Sequence, residues 1–220
     1  MPDKQVVSAV ELNDNQAAGT EIASLQAEFK ELKAEAVQLT AGLSDQQFNW
    51  HRKKRWSISE CVGHLNLTAV QFLVSIESAI QRGKSEGLFS RGEPFKRPAL
   101  TEWFIKNSEP PYKRLKFKSP KGLVPPAYQP MVSAIDEFIN LKDRAIALVE
   151  SASGLDLERI KVMCPELTGQ IALGNILLKF TLAQSFALLA VHERRHLWQA
   201  WQVRNDPEFP KDGLHTNEYA

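Results

Sequence analysis

Four stretches of this 220-residue chain repeat apolar residues at the 3.6-residue period of an amphipathic helix, and no stretch of convincing length alternates as a half-buried strand does. The first runs from Glu21 to Leu43, with Ile22, Leu25, Phe29, Leu32, Val37 and Leu39 on its apolar stripe and Gly42 as its stop. The second is announced by Ser57-Ile58-Ser59-Glu60, where a serine oxygen accepts from the N3 amide and the glutamate returns to the serine amide. Trp56 precedes it as a staple, and the stripe continues through Val62, Leu65, Phe72 and Ile76 to Gly83. The third spans Met131 to about Ser151. The fourth runs from about Ile176 to Arg204, where Asn205-Asp206-Pro207 stops it. The expected fold is therefore all-α, a four-helix bundle with a long proline-rich crossover between helices 2 and 3.

That crossover, residues 83–130, holds seven prolines between Pro94 and Pro126, so it cannot be one helix. A short helical turn is expected at Thr101 to Lys106, anchored by Trp103 and Phe104. The whole segment is expected to pack over the bundle as a crossover or lid, where substrate choice is made. Residues 1–20 lack sustained periodicity and read as a flexible tail, residues 21–205 as the bundle, and residues 206–220 as a polar C-terminal tail.

Composition adds exclusions. Twenty-seven basic against twenty-six acidic residues leave a net charge of +1, so no basic field favours nucleic acid. Cys61 and Cys164 cannot build a disulfide scaffold. Met1-Pro2-Asp3-Lys4 leads into polar residues without a signal-like apolar run, which points to the cytoplasm. Lys179 and Gln184 interrupt the apolar start of the fourth helix, so a membrane is not an expected partner.

The chemistry lies in the histidines. His192-Glu193-Arg194-Arg195-His196 matches H-E-x-x-H on a helix, and imidazoles at i and i+4 reach one divalent ion from the same face. A zinc peptidase of the extended motif needs Gly at 199 and His at 202, where this chain has Gln199 and Gln202. Its remaining downstream donors, Glu208, His215 and Glu218, lie beyond a proline break. The third candidate ligand is His64, on the edge of the second helix's apolar stripe. Taken alone it reads as a hydrogen-bonded histidine of the core edge; beside the pair it reads as a ligand completing a three-histidine site. Imidazoles suit Zn²⁺, Ni²⁺ or Fe²⁺ without choosing among them.

Glu193 is the candidate catalytic residue, a general base toward a nucleophile at the metal, with a carboxylate paired to a neighbouring arginine such as Arg194 as the ordinary alternative. Glu60 is first a helix cap, Cys61 a small buried thiol, and His51 and His215 exposed histidines. Trp198 and Trp201 read as packing or dimer-face aromatics, and Lys113 to Lys121 as a solvated basic loop.

Two windows carry a resemblance. Leu43-Ser44-Asp45-Gln46-Gln47-Phe48-Asn49-Trp50 followed by Trp56-Ser57-Ile58-Ser59-Glu60-Cys61-Val62-Gly63-His64-Leu65 resembles the opening signature of the DinB-like (DinB/YfiT) superfamily. His192-Glu193-Arg194-Arg195-His196-Leu197-Trp198-Gln199 is similar to that family's H-x-x-R-H-L-x-Q ending, and Lys118 to Pro125 loosely matches the segment before its third helix. The resemblance implies a four-helix bundle whose three histidines, here His64, His192 and His196, bind a divalent metal. It also implies a small-molecule substrate: relatives join low-molecular-weight thiols to electrophiles, and others are proposed hydrolases. A homodimer is the expected assembly. The rival expectation is a non-catalytic stress-response or interaction bundle that holds its metal structurally.

Overall fold

The computed structural model describes residues 4–53, 55–90, 119, 121–163 and 180–211, and of residues 4–20 and 121 the backbone alone. The expected helical turn at Thr101 to Lys106, the basic loop before Lys121, Cys164, His215 and Glu218 lie outside these residues. The described chain is mostly helical. Four long helices, α1 (Lys4–Thr40), α3 (Ile58–Ser85), α4 (Met131–Ser151) and α5 (Leu182–Arg204), are joined by the one-turn α2 (Asp45–Phe48) and a 3-10 turn at Lys121–Leu123. α1 packs against α4 and α5, and α3 packs against the same two.

The helices bury the stripes that their sequences write. On α1, Leu25, Phe29, Leu32, Ala36 and Leu39 are buried at the i, i+4, i+7 spacing of one face. Val37, read from sequence as part of that stripe, is 48% exposed, because Ala36 holds the inward position one residue earlier. Helical backbone begins at Lys4, well before Glu21, so the segment expected as a tail continues α1. After Thr40 the chain turns through Gly42 at φ +74°, a conformation that glycine takes without strain.

The start of α3 is the capping box that the sequence announces. Ser57 Oγ accepts from the Glu60 amide at 3.1 Å and Glu60 Oε2 accepts from the Ser57 amide at 2.7 Å. Ser44 with Gln47 and Thr181 with Gln184 cap α2 and α5 in the same way. Gly83 does not end α3, which runs on to Ser85. A Cβ there would sit 2.4 Å from Ile160 Cδ1, so its bareness is a packing requirement.

The fourth helix begins later than expected, at Leu182. Phe180–Thr181 pairs antiparallel with Lys161–Val162, a two-residue ladder too short to leave a period in the sequence. At the other end, residues 206–210 are fastened to α2 and the turn before α3. Asp206 and Glu208 bind Arg52, Phe209 meets Trp50 edge-on at 5.5 Å, and Gln47 Nε2 donates to the Pro210 carbonyl. Among the described residues no helix is long and apolar enough to cross a membrane.

Candidate metal centre

The capping box fixes where α3 starts, and therefore which face His64, seven residues after Ser57, presents to α5. One turn apart on α5, His192 and His196 face it. The three rings meet in edge contacts with centroids 4.6 to 5.1 Å apart. One ligand atom from each lies within 4.8 Å of the others, and the His64 and His192 Nε2 atoms approach to 3.2 Å. Tetrahedral ligation at about 2.0–2.1 Å per nitrogen needs nitrogens a little over 3 Å apart, so the cluster is close to the required size.

Two of the rings have their second nitrogen committed. His64 Nδ1 lies 2.7 Å from the Leu123 carbonyl, which can only accept, so this ring carries its proton on Nδ1 and turns a bare Nε2 inward. His196 Nδ1 donates to Gln199 Oε1 at 3.1 Å, which leaves its Nε2 as the free nitrogen. The residue that breaks the extended peptidase motif thus orients a candidate ligand. On the third ring, His192 Nδ1 is buried without a hydrogen-bond partner.

Burial keeps the imidazoles neutral. His64 is displaced below its ordinary pKa by desolvation, opposed in part by the Leu123 carbonyl. His196 falls to about 3, through desolvation first and then the charges of His64 and Arg195. His192 lies well below the ordinary value through desolvation, with His196, His64, Arg195 and Lys142 adding to it. Neutral imidazoles with inward lone pairs are the form that a divalent ion binds, so the donor set fits a metal. His192 and His196 keep a partly exposed edge, while His64 is buried.

Other expected site residues fall elsewhere. Glu193 is fully buried and bonded to Lys142 of α4, not to a neighbouring arginine, while Arg194 pairs with Glu28 of α1 at 3.0 Å. Glu60 is the α3 cap. Cys61 is a buried free thiol whose pKa burial raises, with no place in the cluster. Glu208 binds Arg52, His51 is exposed, and Trp201 packs on the core.

Three contributors escape a reading by motif. Trp56 was expected only to staple α3, yet its ring lies 5.1 Å from that of His64 and 5.9 Å from that of His196. Leu123 contributes a backbone carbonyl, which no side-chain pattern reveals. Lys142 did leave a signal, a lysine on the apolar stripe of Phe138, Ala145 and Val149.

A family model described as the DinB superfamily matches residues 28–200. The chain belongs to the DinB superfamily. No curated protein and no solved structure matches it. The match contains all four candidate residues: His64, His192, Glu193 and His196. In this DinB-superfamily chain, His64 and the pair His192 and His196, far apart in sequence, form one cluster of three imidazoles.

Proposed function

We propose that the protein is a divalent-metal-dependent enzyme of DinB type, a four-helix bundle with a proline-rich crossover between its second and third long helices. His64, His192 and His196 hold the ion, which is Zn²⁺, Ni²⁺ or Fe²⁺. The observation that carries this reading is the convergence of three inward, neutral imidazoles within 4.8 Å. Among the described residues no fourth protein donor joins them, which favours an open coordination position over a closed structural site. A bound ion supplies Lewis acidity there, lowering the pKa of a coordinated water or thiol so that it is a nucleophile at neutral pH.

The residues around the cluster do the remaining work. Leu123 and Gln199 hold two rings by their outer nitrogens, and Trp56 covers the side shared by His64 and His196. The occupied carboxylate of Glu193 bears on the choice of nucleophile. Its bond to Lys142 draws it away from a general-base role, and a thiol, with a free pKa near 8.5, needs less help to ionise than water does. Transfer of a small thiol to an electrophile is therefore the leading reaction. Hydrolysis with Glu193 as base is the second, resting on its place beside His192.

Zinc titration of chelator-stripped protein tests the centre. One ion per chain is expected, and His64→Ala should weaken binding by more than the roughly 10–100-fold that an outer partner contributes. Protein that takes up no metal, with His64→Ala changing neither affinity nor stability, would overturn the proposal. At saturating zinc, thiol transfer expects turnover that rises with added small thiol and survives Glu193→Gln. Hydrolysis expects thiol-independent turnover that Glu193→Gln abolishes.

A further inference from the structure

Of the ion pairs among the described residues, Lys142–Glu193 is the most deeply buried. Both side chains have no exposed surface, and a buried ion pair repays its desolvation only with good geometry and full hydrogen bonding. Here the bonding is incomplete, since Glu193 Oε1 accepts from Lys142 while Oε2 has no partner. Lys142 reaches this position from the apolar stripe of α4, its ammonium 4.4 Å from the centre of the Phe138 ring. α4 and α5 each pack against α1 and α3, so the pair ties together two helices through the space between. A Met and a Leu would fill such a place at no loss of stability. The stability ledger alone therefore leaves the pair unexplained.

Its position on α5 suggests what it does. Glu193 is the residue after His192, and successive helical residues point about 100° apart. Fixing Glu193 toward α4 fixes the rotation at which His192 is presented to α3, where His64 stands. A second observation lies on the same two residues. When both facing Nε2 atoms are to be bare, His192 must carry its proton on Nδ1, and that nitrogen is buried without an acceptor. The unbonded Oε2 of Glu193 is an acceptor buried without a donor, on the adjacent residue.

We infer that Lys142 and Glu193 are positioning residues of the histidine centre, a buried strut that sets the rotation of α5 so that His192 meets His64. The inference rests on the metal reading of the triad. It gives the motif's glutamate a task in holding the ligand set, apart from any proton it could transfer.

The test separates stability from metal affinity. Lys142→Met with Glu193→Leu replaces the pair by apolar groups of similar volume, and the double variant is expected to melt at or above the parent temperature. Its zinc affinity, measured by competition with a chromophoric chelator, is expected to fall about 10–100-fold. Should it fail to fold, Glu193→Asp serves instead, since it keeps the charge and withdraws the carboxylate by one methylene; at least a tenfold weaker zinc affinity is expected. Parental zinc affinity in the folded double variant, or in Glu193→Asp where that is the probe, overturns the strut. A parent chain that binds no zinc overturns the metal reading and the strut together. A parent that binds zinc beside a variant that binds it equally well overturns the strut alone.

Discussion

At the scale of single residues, a histidine's chemistry is set by what its second nitrogen touches. His64 and His196 each spend Nδ1 on an oxygen and offer Nε2, and desolvation holds both rings neutral. The same neutrality makes stability depend on pH. A group with a depressed folded pKa takes up its proton in the unfolded chain first. The stabilisation is then whole above the unfolded histidine value of about 6.5 and is lost as pH falls toward the folded value, about 3 for His196. Metal-free protein is expected to lose up to about 2 kcal/mol per such ring between pH 7.5 and pH 5. Urea unfolding at the two pH values, repeated on His196→Gln, checks this; an unchanged slope in the variant would remove His196 from the account. The i and i+4 spacing of His192 and His196 was readable in the sequence because it is local. The partner of Glu193 was not, since its being Lys142 and no arginine depends on how two helices are rotated.

Helices carry the next level of the argument, and their ends were more legible than their faces. The boxes Ser57 with Glu60 and Thr181 with Gln184 satisfy backbone amides that a helix start leaves open, a need written within four residues of sequence. The first marks the start that periodicity also predicts for α3; the second starts α5 at Leu182, later than the start near Ile176 that apolar periodicity predicts. Ser57→Ala is expected to destabilise the protein by about 1–2 kcal/mol, since it removes the cap and also the buried Ser59 Oγ partner at 2.9 Å. Denaturant midpoints measure it, and a cost below about 0.3 kcal/mol would show that the cap is redundant. Because this box sets the first turn of α3, it also sets the entry of His64 into the interior. Gly63 beside it admits the Gln129 side chain, whose Nε2 donates to the Ser59 carbonyl, so the segment that supplies the Leu123 carbonyl is held against the same helix.

Across the whole molecule, aromatic and aliphatic groups from all four long helices share one core, and the site is built on its margin. Phe29 of α1 and Phe186 of α5 meet edge-on at 6.4 Å with no exposed surface. Phe29→Ala should cost about 3–5 kcal/mol, read as a lowered denaturant midpoint. A loss below about 1 kcal/mol would mean that the α1–α5 contact is not part of the cooperative core. The sequence by itself determined the four long helices in outline, the cap of α3, the paired histidines and the third histidine at the edge of another helix's apolar stripe, because periodicity and capping are local consequences of backbone geometry. The tertiary structure alone decided that Trp56 lies against the imidazoles, that Leu123 orients His64, that Asp206 and Glu208 bind Arg52, and that Lys142 meets Glu193 in the interior. Those outcomes depend on the angle and rotation at which helices pack. That geometry is fixed by the fit of whole side-chain surfaces, which no single stretch of sequence contains.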